Sequence, residues 1–352
     1  MAKKGPIQQG DGGIDGKEVA AAAAVAGAAA VGGKLAWDRL SSSSDETRAF
    51  RLFVDEAVPD GIRRIARGQL ELAHADLDGV SKRKLSGGVH EARKRLKRLR
   101  ATVRLARDAL GEEVYTRENA AFRDIGRRLS GTRDAAVLID TLDALHEAVG
   151  RELPANVTDR LRERLEEDRK KALASLKDKG DVLGKVLSEL EAARTRTSTW
   201  SFDTDGFEAL EAGLRRIYSR GRKALRRAEA NPSSENLHEW RKRTKDLWHA
   251  LQILEPAAPK MMKKAAKRVH ALADVLGDDH DLSELRRYVK AHPGSFAGRS
   301  EQDALVALID RRRHALKRRA LKLGARVFRR PPGRFVREIA RGFEKRVESA
   351  AH

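Results

Sequence analysis

The chain has 352 residues, 36% of them charged and only 5% aromatic, and its 73 Lys and Arg outnumber 52 Asp and Glu to give a formal net charge of +21. A surplus that large destabilises a compact state by self-repulsion unless an anion neutralises it, which points to nucleic acid, polyphosphate or an anionic membrane surface rather than to small acidic substrates. With no cysteine in the chain, disulfides, thiolate nucleophiles and cysteine-based zinc sites are excluded.

Residues 1–48 are compositionally separate: Gly-rich, then Ala-rich, then closed by the four serines Ser41 to Ser44. They read as a disordered leader with one transient helix. The Ala, Val and Gly run from Val19 to Gly33 is too short to span a bilayer, which needs about 20 apolar residues. Lys3 and Lys4 could open a signal peptide, but Asp11, Asp15 and Glu18 follow where an apolar stretch should begin. The expectation is a cytoplasmic chain with no transmembrane segment.

From Phe50 onward apolar residues recur at spacings of three and four, and no strand is required anywhere, so the fold class is all-α. Breaks are expected at Pro59-Asp60-Gly61, Ser86-Gly87-Gly88, Gly111, Ser130-Gly131, Gly150 to Pro154, Gly180, Asn231-Pro232, Pro256 to Pro259, Gly277 and His292-Pro293-Gly294. An internal repeat organises these helices. Gly61-Ile62-Arg63-Arg64-Ile65 recurs as Gly213-Leu214-Arg215-Arg216-Ile217, and Val89-His90-Glu91-Ala92-Arg93-Lys94-Arg95 recurs as Leu237-His238-Glu239-Trp240-Arg241-Lys242-Arg243. Leu129 to Leu138, with Arg133-Asp134, aligns with Leu276 to Leu285, with His280-Asp281. The offsets are 152, 148 and 147 residues (213 − 61, 238 − 90, 280 − 133), too regular for chance. The halves are placed at 49–195 and 196–347, each with about four helices, the minimum for a closed four-helix core.

Within the first repeated helix Val89, Ala92, Leu96, Leu99, Val103, Ala106 and Leu110 form one apolar seam. The neighbouring line is His90, Arg93, Lys97, Arg100, Arg104 and Arg107, with no acidic residue. From His90 to Arg104 it runs about 21 Å, suited to an extended polyanion. An ordinary solvated face mixes Glu with Lys to relieve repulsion, whereas this stripe repels itself. The second copy sets His238, Arg241 and Lys245 beside a seam of Leu237, Trp240, Leu247, Leu251 and Leu254. Arg63, Arg64 and Arg67 answer to Arg215, Arg216 and Arg220, and Arg312, Arg319 and Arg326 form a later heptad-spaced row. Arg offers a planar fork for phosphate and Lys a flexible point charge. For His90 and His238, each in the first turn of its helix, two readings stand: anion contact, which would raise the imidazole pKa, or a structural hydrogen bond at the helix start.

The segment His90-Glu91-Ala92-Arg93-Lys94-Arg95-Leu96-Lys97-Arg98-Leu99-Arg100, its copy from His238 to Lys245, and the later Arg133-Asp134 and Leu276-Gly277 with Asp281 resemble the CHAD family, the conserved-histidine α-helical domain. The resemblance runs from Phe50 to about Val347, and its signatures occur in the family's order. It implies two four-helix bundles related by pseudo-twofold symmetry, with a basic surface or channel between them that holds inorganic polyphosphate at granules, without catalysis. His90, Arg93, Lys97, Arg98 and Arg100 match the first copy, and His238, Arg241 and Lys245 the second. Asp246, Trp248, His249 and Gln252 depart from the usual choices, so a weaker grip is expected beyond Lys245. Lys94 and Lys242 complete the set of candidate ligands.

The rival reading is sequence-independent nucleic-acid binding, which uses the same cations. Three Tyr, four Trp and nine Phe leave few stacking platforms, however, and Trp240 and Phe122 read as core. Asp278-Asp279-His280-Asp281 looks superficially like a metal-hydrolase cluster, but supporting ligands are missing and the resemblance gives Asp281 a helix-start role. No P-loop, dinucleotide fingerprint, H-E-x-x-H or E-x-E-x-K pattern occurs. No catalytic residue, metal or cofactor is expected. A third reading is a scaffold that uses Val19 to Leu40 as an interaction segment on a granule or an anionic membrane.

Overall fold

A computed structural model describes residues 49–79, 85–129, 133–149, 155–178 and 182–350. The leader and the expected breaks at Ser130-Gly131, Gly150 to Pro154 and Gly180 lie outside the described residues, as do the side chains of Arg133 and Asp134. The helices are α1 (Val58–Ala75), α2 (Leu85–Leu105), α3 (Arg107–Leu110), α4 (Glu112–Arg128), α5 (Arg133–Val149), α6 (Ala155–Asp178), α7 (Val182–Thr197), α8 (Glu208–Ala230), α9 (Ser234–Ile253), α10 (Pro259–Ala291), α11 (Arg299–Val327) and α12 (Pro332–Ala350). No strand occurs among the described residues.

The helix ends follow local chemistry. Gly111 separates α3 from α4 at φ +77, a conformation that favours glycine. Ser233 caps α9 by accepting from the Asn236 amide at 3.2 Å. One expected break, Gly277, is not a break, and two others fall just inside helix starts. Pro59-Asp60-Gly61 forms the first turn of α1, where a missing N–H costs nothing. Ser86-Gly87-Gly88 lies inside the start of α2. Gly277 sits within the 33-residue α10, where a Cβ would meet the Arg241 guanidinium at 3.9 Å, so this glycine lies beside α9 rather than ending a helix. Asp281 is therefore mid-helix, not at a helix start.

Helices α1, α2, α4 and α7 pack in one closed ring, and α8, α9, α10 and α11 in another. The α5–α6 hairpin leaves the first ring and rests against α10, while α12 covers α8. The seam from Val89 to Leu110 is buried, as are Leu237, Trp240, Leu247, Leu251, Leu254 and Phe122. The rings meet where α2 packs on α9 and where α8 packs on α2 and α3. That second contact is close: a Cβ at Gly213 would stand 1.8 Å from the Leu105 carbonyl oxygen. Two buried carboxylates are held by arginines. Asp279 receives Arg313 at 3.1 Å, with Ser234 Oγ accepting from the same guanidinium at 3.0 Å, and fully buried Glu118 receives Arg196 at 2.9 Å and Arg117 at 3.0 Å.

Candidate functional site

The two repeated basic helices, α2 and α9, lie against each other where the rings meet. Their apolar seams face their own rings, so the adjoining basic lines flank this contact. Along α2, Lys97 is exposed and His90 partly so. Arg93 donates to the Gly126 carbonyl at 3.1 Å, and Arg100 donates to Asn119 Oδ1 at 3.2 Å. Lys94 pairs with Glu91 at 2.7 Å. Burial, with Arg104 close by, pushes the Arg100 guanidinium down to about 10, so it stays charged at neutral pH in surroundings that favour an added anion. Arg98 is buried, 3.5 Å from Gln69 Oε1 and 5.1 Å over the Phe50 ring, which places it in the packing rather than on the exposed line.

Along α9, His238 Nδ1 lies 3.1 Å from His280 Nδ1 on α10, so one ring must donate and the other accept. Burial is the main cause that pushes both imidazoles down to about 4, with His280 adding to the effect on His238 and Arg241 to the effect on His280. His238 thus has a structural hydrogen bond and is neutral at physiological pH. Lys242 is exposed beside Glu239 at 3.7 Å. Lys245 lies 4.7 Å over the Trp248 ring, which packs against His270. His270 in turn pairs with Asp274 at 2.9 Å.

Tertiary packing builds a cluster that neither helix has alone. Arg104 and Arg107 from the first half meet Arg216, Arg220 and Arg243 from the second around a crevice that also contains Tyr115 and Asp246. Asp246, its one acidic lining residue, receives Arg104 at 2.6 Å and Arg243 at 3.2 Å. Arg216 holds Asp108 at 2.6 Å and Arg107 holds Glu112 at 2.7 Å. Burial, followed by Arg243, pushes Arg220 below its usual value. Cations this crowded are costly without an anion among them.

The repeat predicts a second such crevice on the opposite side of the α2–α9 contact, with Arg64, Gly68, Arg95, Arg98, Gln252 and Glu255 in the places of Arg216, Arg220, Arg243, Asp246, Arg104 and Arg107. The chain's own segment before α1 fills that place. Phe50 packs edge-on to His249 at 6.1 Å, the Leu52 amide donates to the Ile253 carbonyl at 2.8 Å, and Arg51 pairs with Glu255 at 3.0 Å. Arg64 is drawn into the seal. It donates to Glu56 at 2.9 Å and to the Arg51 carbonyl at 2.8 Å, and it stacks 4.2 Å over Phe53.

The other expected ligands are distributed away from this contact. Arg63 donates twice to the Trp200 carbonyl, at 2.9 and 2.7 Å, and Arg67 pairs with Glu71 at 3.0 Å. Both, with Arg64 and Arg194, line a groove of about 810 Å³ beside α1 and α7. Arg215 is exposed on α8, and Arg312 and Arg319 are exposed on α11, the helix diagonal to α9 in its ring. The structure therefore gathers the α2 and α9 residues with Arg216 and Arg220, and leaves Arg312 and Arg319 apart. Arg243 and His280 were missed as site members, although the repeat places Arg243 at the position of Arg95. Of the acidic cluster, Asp279 is a core ion-pair partner, and no group of three or more metal-ligating side chains occurs among the described residues.

A family model described as the CHAD domain matches residues 64–290. Among solved structures, the crystal structure of the CHAD domain from the plant Ricinus communis aligns with a TM-score of 0.48 at 18% identity, covering 84% of this chain and 94% of that one. No curated protein matches the chain.

Proposed function

The chain belongs to the CHAD family, and from that premise we propose that it is a non-catalytic module that binds inorganic polyphosphate across the α2–α9 contact. The observation that carries the proposal is the crevice of Arg104, Arg107, Arg216, Arg220 and Arg243, continuous with a line on which Lys97 is exposed and His90, Arg93 and Arg100 are half-buried, and answered by Arg241, Lys242 and Lys245. A linear phosphate chain offers one charge after another along such a path, and each guanidinium can fork onto a phosphate. The cations already stand in place, held by Gly126, Asn119 and Asp246, so little ordering entropy is lost on binding. Granule association in the cytoplasm is part of the same proposal.

The test is a competition titration of the full chain at fixed physiological salt. Labelled long-chain polyphosphate is displaced by unlabelled polyphosphate, duplex DNA, single-stranded RNA or heparin at matched charge concentration. Selective displacement by polyphosphate supports a shaped site. Equal displacement by all four overturns it in favour of a non-selective basic surface, with nucleic acid as its natural occupant.

A further inference from the structure

From residue 311 to residue 337 the chain contains twelve Lys and Arg and not one Asp or Glu. This stretch lies beyond residue 290, where the match to the family model ends. One of the twelve, Arg313, is turned inward onto Asp279, and Arg330 and Arg334 share Glu338. On α11, by contrast, Arg312, Arg318, Arg319 and Arg326 are exposed, and no carboxylate among the described residues pairs with any of these four.

The direction of this face follows from the helix. Buried Ile309, Leu316, Ala320 and Gly324 mark the inward side of α11, and Gly324 abuts the Trp240 ring of α9. At about 100° per residue, Arg318 stands opposite Ile309, with Arg326 and Arg319 on the flank beside it. Because α9 and α11 are diagonal in their ring, α11 itself lies the width of a bundle from the α2–α9 contact. It cannot share one straight stripe with the crevice. Its length from Arg312 to Arg326 is about 21 Å, again far longer than a single anion. Bulky apolar side chains that would seat a helix in a membrane are absent from it, since the large hydrophobic residue exposed among the described residues is Val347 on α12.

We infer that the outer face of α11 is a second, independent binding surface for a linear polyphosphate chain, so that one protein molecule cross-links two chains or two segments of one. This rests on the polyphosphate reading of the α2–α9 site. With two separated sites the second engagement on a long polymer becomes intramolecular or inter-chain, and assembly follows from valency without any new contact. Charge complementarity along a row that the fold leaves unneutralised is the argument for the occupant.

The experiment compares the full chain with two variants of equal charge change, R318E/R319E/R326E on α11 and R341E/K345E/R346E on α12, each confirmed as folded by circular dichroism. Calorimetry gives the number of short polyphosphate chains bound, using a chain no longer than one stripe, and light scattering follows assembly with long-chain polyphosphate. The expected result is two short chains and strong scattering for the wild type and the α12 variant, but one short chain and soluble complexes for the α11 variant. A single short chain in the wild type, or unchanged cross-linking in the α11 variant, overturns the inference and leaves the α2–α9 site standing. No polyphosphate bound by any of the three overturns both readings. Retention of duplex DNA rather than short polyphosphate by the α11 face, tested in R93E/K97E, assigns that face to nucleic acid and also overturns it.

Discussion

The crevice around Arg216 and its repeat counterpart around Arg64 are framed by repeat-related helices, yet the first is lined by five arginines drawn from both halves and the other is filled by the segment from Ala49 to Glu56. Two glycines show how far the equivalence extends. Gly213 meets the Leu105 carbonyl, backbone against backbone, at the contact between the rings. At the repeated position Gly61 meets the Leu52 side chain, where a Cβ would stand 2.3 Å from Cδ1, and Glu56 Oε1 at 2.6 Å. Both glycines admit a close neighbour, but the neighbour differs: a ring of the other half in one case, the sealing segment in the other. The repeat sets the frame, and local sequence decides which side gathers cations from both halves and which is covered by the chain's own segment.

The strongest way to break this comparison is at the glycines. Gly213→Ala gains about 1 kcal/mol of helix propensity but forces α8 away from the α2 backbone, and a net loss of about 3 kcal/mol is expected in denaturant unfolding. Gly61→Ala pushes only against side chains, so a loss of about 1 kcal/mol is expected, with faster proteolysis before α1. Equal losses at the two positions would mean that the sealing segment is as rigid as a helix.

Charge reversal tests the same contrast in binding. R216E/R220E is expected to weaken polyphosphate affinity about 100-fold with helicity intact, since each charged contact contributes about 1.5–3 kcal/mol and about 1.4 kcal/mol is tenfold. Arg64→Glu, on the sealed side, should cost less than about tenfold in affinity and show instead as reduced stability, because Glu56 would then face another carboxylate. Similar affinity losses on both sides would remove the functional distinction between them.

A pH series sharpens the comparison further. His238 and His280 are held at about 4 against an ordinary 6.5, so between these values the unfolded chain binds protons that the folded chain does not. The stability contributed by keeping both rings neutral is complete above 6.5 and falls as the pH drops toward 4. Unfolding midpoints measured across that window should decline, and H238Q/H280Q should flatten the decline. An unchanged slope in the variant would place the acid sensitivity in other groups, such as buried His249, whose pKa burial also lowers.

The smallest expected effect comes from Asp246→Asn, which removes the one acidic lining residue of the crevice around Arg216. Affinity should rise several-fold, by about 1 kcal/mol, while the unfolding midpoint at low salt falls because Arg104 and Arg243 lose their shared partner. A loss of affinity would show that Asp246 positions these arginines for the ligand more than it competes with it.

The helical class, the repeat, the buried seams and the basic stripe beside the α2 seam were legible in the sequence, because helical periodicity is local and a repeated pattern carries its own control. Trp240 and Phe122 read correctly as core for the same reason. What tertiary structure alone decided is which cations stay available. Arg98 lies on the right helix yet is buried against Gln69 and Phe50, and Arg64 is consumed by a segment only a few residues upstream. Arg243 and Asp246 enter the crevice only because α9 lies against α2, and His238 meets His280 only because α10 lies beside α9. Spacing along a helix fixes the direction in which a side chain leaves it, whereas the partner it meets depends on how helices far apart in the chain are packed together.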